Sequence, residues 1–149
     1  MGTSSIRGFA SGSAVGEKLV APYLQRLGAD TIDLAVLSHP HADHVCGFPS
    51  LFAVKPPKVV LDIGARHDSP EYEEFLRAVR ESKARYRIAH SGQSIDLGDG
   101  IRAEVLSPDA GFPYTDLNER SMVLRVTFRK AVFLLCADAG AEAESRLLK

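Results

Sequence analysis

Between His39 and His44 the chain reads His-Pro-His-Ala-Asp-His, so three of its five histidines and a carboxylate fall within six positions. In an extended segment, side chains two apart point the same way, so His39 and His41 can converge on one ion. Asp43 and His44 come after a turn and can face a second ion beside the first. Imidazole nitrogens together with carboxylate oxygens suit Zn²⁺, Mn²⁺ or Fe²⁺ rather than Ca²⁺ or Mg²⁺ alone. A single histidine at a strand end is usually a surface or capping residue. A cluster this dense is hard to obtain from packing needs, and it marks a candidate metal site.

The elements around the cluster read as a layered α/β domain. Ile32 to Leu37 is an apolar run of strand length, and it feeds the polar segment Ser38 to Gly47, expected to be a loop. Lys58 to Ile63 reads as a second buried strand. The Gly/Ser-rich opening to Gly16 reads as a loop. A helix from Glu17 to Leu27 follows, with Leu19, Tyr23, Leu24 and Leu27 on one face, Gly28 as its stop and a kink at Pro22. A second helix is announced by Asp68-Ser69-Pro70-Glu71 and then by Tyr72, Phe75, Leu76 and Val79 at helical spacing. Strands are expected at Arg85 to Ala89, Ile101 to Leu106, Ser121 to Phe128 and Val132 to Leu135, the last two joined tightly through Arg129-Lys130. Ala141 to Lys149 reads as the start of a helix. Strands and helices mixed in this order indicate an α/β, or α+β layered, architecture rather than a barrel.

Composition narrows the function classes. The 149 residues are 45% hydrophobic and 25% charged, with a net charge of −1. That is one domain with a sizeable core and no broadly basic surface for nucleic acid. A local basic groove is compatible with it. The longest uncharged apolar run, Ala131 to Ala137, is far short of the ~20 residues of a spanning helix. Cys46 and Cys136 show no CxxC spacing and read as reduced thiols in a cytosol-like compartment.

The HxHxDH pattern after Ile32-Asp33-Leu34-Ala35-Val36-Leu37-Ser38 resembles the metallo-β-lactamase fold superfamily. Ser94 to Gly100, Asn118 to Arg125 and Phe133 to Asp138 extend the resemblance to the ComEC-type competence hydrolases, from Val15 onward. The resemblance implies a metallo-β-lactamase αββα sandwich and a site with two divalent ions, zinc or manganese. Carried over residue by residue, it makes His39 and His41 ligands of one ion, and Asp43 and His44 ligands of the other. Asp138 would bridge both. Asp43 and Asp138 are thereby the expected catalytic carboxylates.

Where many relatives supply a further histidine, this chain has Asn118, a candidate substrate-binding residue together with His67 in the loop before the second helix. The family's Asp-Val-Gly-Gln-Gly-Asp strands would precede Gly2, and its His-His-Gly segment would follow Lys149. The chain is thus expected to be an internal piece, a single partial domain over residues 1–149. The family's Thr-Gly-Asp step stands here as Cys136-Ala137-Asp138.

The resemblance implies a phosphodiesterase or DNA nuclease linked to DNA uptake, with single-stranded DNA as a partner. The alternatives are hydrolysis of a small ester, lactone or thioester, and an inactive remnant. Location follows the same branch: cytoplasm-like if free-standing, membrane-attached if the parent protein is a ComEC-type channel.

Other polar residues have plainer readings. His90 reads as a surface turn residue, and Arg80, Lys83, Arg85 and Arg87 as a solvated face. Cys46 reads as a small thiol filling a glycine position. Asp33, Asp62, Asp96 and Asp99 sit at strand ends and turns, where aspartate is expected.

Overall fold

The computed structural model describes residues 14–148; the first part of the opening loop and Lys149 lie outside them. Three parallel strands, β1 (Ile32–Leu37), β2 (Pro57–Asp62) and β3 (Arg85–Ile88), form one sheet in that order. Four antiparallel strands, β4 (Ser94–Gly98), β5 (Ile101–Ser107), β6 (Val123–Phe128) and β7 (Ala131–Leu135), form the second, each beside its neighbour in sequence. The helices are α1 (Ala21–Arg26), α2 (Ala42–Val45), α3 (Gly47–Val54), α4 (Pro70–Glu81) and α5 (Ala141–Leu147).

The parallel sheet is covered on both faces, which is why β1 and β2 read as nearly continuous apolar runs. Ala35, Leu37 and Val60 face the helix layer with Leu51, Phe52, Phe75 and Val79. On the other face Leu34, Val36, Leu61 and Ile63 meet Val105, Met122 and Leu124 of the antiparallel sheet. With α3 and α4 outside one sheet and α5 against β5 of the other, the layers run α, β, β, α.

Helix α4 forms as its residues dictate. The Ser69 hydroxyl accepts the Tyr72 amide at 3.2 Å, Pro70 occupies the first turn, and Tyr72, Phe75 and Val79 are buried at intervals of three and four. Phe75 lies 5.5 Å from Phe48 and 6.2 Å from Phe52, ring centre to ring centre, so three aromatics bind α3 to α4.

Four expectations need correction. Ser38 to Gly47 is not loop throughout, because Ala42–Val45 make a helical turn and α3 starts at Gly47. Helix α3 itself went unread because Gly47 and Pro49 look like breakers, although a proline in a helix's first turn costs no backbone bond. Strand β4 also went unread. It is largely exposed, and its Asp96 and Gly98 hide the alternation.

The first helix is divided. A π-helical segment, Gly16–Val20, precedes α1, and Pro22 in the first turn of α1 lacks the N–H that would continue the wider ladder. Its expected core face is also turned outward, since Leu19, Tyr23 and Leu27 are exposed. The contact with the body is made by Gly16, Val20 and Ala21 instead. A Cβ on Gly16 would lie 2.6 Å from the Leu51 amide nitrogen and 2.7 Å from Leu51 Cβ, so the close approach to α3 requires glycine.

Candidate metal centre

The site lies where β1 ends. Leu37 is the last residue of the strand, and Ser38 to His41 continue across the top of the sheet before α2 turns the chain back. His41 is the extended residue before α2, and its carbonyl accepts the amides of His44 and Val45, both at 3.0 Å. That turn places Asp43 and His44 beside the two histidines that precede it.

The donor atoms converge. His39 Nε2 is 3.0 Å from His41 Nδ1 and 3.9 Å from Asp138 Oδ2. His44 Nε2 is 3.3 Å from Asp138 Oδ2 and 3.6 Å from Asp43 Oδ2. Two nitrogen ligands at about 2.0–2.1 Å from a tetrahedral ion stand roughly 3.3–3.4 Å from each other, and the donor atoms of His39, His44 and Asp138, all within 4.8 Å of one another, leave room for an ion between them. The chemistry of the set agrees: neutral imidazoles and carboxylates are a transition-metal donor set. The residues therefore fit the group that the sequence implies.

Two serines hold the imidazoles in the required sense. Ser38 Oγ lies 3.3 Å from His39 Nδ1 and 3.3 Å from His44 Nδ1, and Ser121 Oγ lies 3.3 Å from His39 Nδ1. With each Nδ1 carrying the proton and donating it to a serine oxygen, both Nε2 lone pairs are left facing Asp138. Burial first, then the neighbouring His44 and His41, hold the pKa of His39 below its ordinary value; Asp138 and Asp43 offset this only in part. A neutral imidazole is the form that ligates.

Burial is graded across the site. His39 is fully buried, His44 is partly covered, Asp138 is partly exposed and Asp43 is largely exposed. Asp138 arrives from the other sheet, in the turn after β7, and Ala137 beside it has φ of 48°. That left-handed conformation is the reason a glycine is expected at this step, and alanine holds it under strain.

The remaining sequence candidates divide. His67 packs edge-on against His41 with ring centres 6.0 Å apart, so it borders the cluster. Asn118 stands three residues before Ser121, and its buried Oδ1 has no hydrogen-bond partner among the described residues. His90, Arg80, Lys83, Arg85 and Arg87 are all exposed. Asp33 pairs with Lys58 at 2.6 Å on the surface. Cys46 borders a largely apolar cavity of about 480 Å³ beside Asp43 and His44, and burial followed by Glu71, Glu74 and Asp43 pushes its thiol pKa up.

Sequence reasoning passed over Ser38, Ser121 and Asp62. A serine directly before the histidine run was the available signal for Ser38; Ser121 gave none, being 82 residues away from its partner His39. Asp62, read as an ordinary strand-end residue, is fully buried, and its Oδ2 accepts the hydroxyls of Tyr72 and Tyr86, both at 2.6 Å. Burial, reinforced by those bonds, raises the Tyr72 pKa and pushes that of Tyr86 up to about 12.

A sandwich of this layering with a His/Asp cluster at one sheet end defines a metal-dependent hydrolase fold, and comparison with known families agrees. Residues 5–149 match the metallo-beta-lactamase superfamily, and the chain belongs to it. It is also similar to ComE operon protein 3 of Bacillus subtilis (strain 168), 26% identical over 135 residues. That alignment covers 91% of this chain and 17% of the relative, so the chain spans about a sixth of that protein's length.

Proposed function

We propose that this chain is the hydrolytic core of a competence-type protein and cleaves phosphodiester bonds, with single-stranded DNA as substrate. The observation that carries the reading is the gathering of His39, His44 and Asp138, whose donor atoms all lie within 4.8 Å of one another, with His41 beside His39 and Asp43 beside His44. The substrate class is inferred from the ComEC-type resemblance, and the similarity to ComE operon protein 3 is in keeping with it.

His39 and His41 with Asp138 would hold one ion, and Asp43 and His44 with Asp138 the other. Zinc and manganese both suit that donor set. When bound, such ions lower the pKa of water and stabilise charge building on the scissile group. The chain's own contribution is orientation. Ser38 and Ser121 orient the rings of His39 and His44 through Nδ1, and Asp138 joins the two halves of the proposed ligand set. His67 and Asn118 are the residues proposed to contact substrate, one beside His41 and one in the segment leading to Ser121. No helix among the described residues is long and apolar enough to cross a membrane.

A second reading has its own observation. The cavity beside Asp43 and His44, lined by Val15, Val20, Phe48 and Leu51, would suit the apolar part of a small ester, lactone or thioester. Incubation with labelled single-stranded DNA and with a panel of such esters, with and without added Mn²⁺ or Zn²⁺, separates the two. Metal-dependent DNA cleavage that disappears in Asp43→Ala is expected. Ester turnover without DNA cleavage would transfer the assignment to the second reading.

A further inference from the structure

The two ligand-bearing segments, His39 to His44 and the turn at Asp138, come from different sheets, and something must set their separation. The segment Asp116 to Met122 touches both. At one end the Met122 amide donates to the Ser38 carbonyl at 3.0 Å, and Ser121 Oγ meets His39 Nδ1. At the other end Glu119 reaches the chain just beyond Asp138. Its Oε2 accepts the Ala143 amide at 2.8 Å, and a Cβ on Gly140 would collide with its carboxylate. Glu119 is itself anchored, since its amide donates to Asp116 Oδ1 at 2.9 Å. Thr115 adds a second tie, its hydroxyl donating to Glu142 Oε2 at 2.7 Å.

We infer that Glu119 is a positioning residue for the metal centre: it clamps the turn after β7 so that the Asp138 carboxylate stands at its distance from His39 and His44. This rests on the metal reading of the site above. Three features support it. Gly140 leaves room for the Glu119 carboxylate and for nothing larger. The capped amide belongs to α5, which starts three residues after Asp138. The strained Ala137 shows that the turn is held in a conformation it would not keep alone.

The experiment is zinc affinity by competition with a chelating dye, on the wild-type chain, Glu119→Ala, Glu119→Gln, and each with Asp138→Ala. Groups that orient ligands typically contribute about 10–100-fold in metal affinity, and a loss of that size is expected for Glu119→Ala. Glu119→Gln keeps an amide oxygen for the Ala143 N–H and should return affinity to within about threefold of wild type. In the Asp138→Ala background, Glu119→Ala should have less than about a twofold further effect, because its partner in the cycle is gone. A merely structural role would lower affinity equally in both backgrounds and overturn the inference, as would wild-type affinity in Glu119→Ala. Should Glu119→Ala not fold, Gly140→Ala, which drives a methyl into the carboxylate, is expected to give the same loss and the same dependence on Asp138. Failure of the wild-type chain to take up zinc would instead overturn the metal reading itself, and the inference with it.

Discussion

At the scale of single residues, the site is a set of carboxylates and imidazoles, two of the imidazoles held in place by two serines. One serine oxygen between two imidazoles, at 3.3 Å from each, does for His39 and His44 what two separate acceptors would otherwise do. A strained residue borders the site directly: Ala137, at φ of 48°, immediately precedes Asp138. An L-residue in this region costs roughly 1–2 kcal/mol, and replacing it with glycine forfeits about 0.4–1 kcal/mol of unfolded-state restriction. Ala137→Gly is therefore expected to stabilise the protein by about 0.5–1 kcal/mol, read as a higher urea midpoint at unchanged slope. A lower midpoint would show that the turn is not strained by its alanine.

Elements explain both what the sequence disclosed and what it kept back. Helix α4 was legible because its cap, its proline and its buried face all lie within twelve consecutive residues. The candidate metal loop was legible because its four potential donors fall within six residues. Strand β4, the turn at α2 and the short α3 were not, since their conformations are decided by contacts with other elements rather than by local pattern. Asp62 shows the same limit. Its role depends on two tyrosines ten and twenty-four residues away, which no local spacing relates to it.

Helix α5 depends on a distant partner as well. Arg146 Nε donates to Asp109 Oδ2 at 2.9 Å, and the guanidinium lies over the Phe112 ring. The Arg146 hydrogen bond holds the Asp109 pKa below the usual carboxylate value. A depressed carboxylate pKa stabilises the fold above the unfolded value, near 3.9, and that contribution is lost as pH falls through the folded value. Asp109→Asn should therefore lower the melting temperature at pH 7, and the gap to wild type should close as pH drops below about 4. A gap that stays constant from pH 7 to pH 3 would mean that the pair does not act through its charge.

For the whole molecule, the central feature is that the His/Asp cluster is assembled from two sheets. His39 to His44 leave the parallel sheet, Asp138 leaves the antiparallel one, and the apolar layer of Leu61, Ile63, Val105, Met122 and Leu124 sets the sheets against each other. Metal binding should then be coupled to the packing of the sandwich, because an unfolded chain does not bring His41 and Asp138 together. The direct measurement is the melting temperature of the wild-type chain, His41→Ala and Asp138→Ala, each with and without zinc at about 100 times its dissociation constant for wild type. That excess corresponds to roughly 2.7 kcal/mol of stabilisation, or a rise of about 5–10 °C for a domain of this size, and each substitution should remove most of it. If both variants rise as far as the wild type, zinc binds elsewhere and the site described at the end of β1 is not a metal centre.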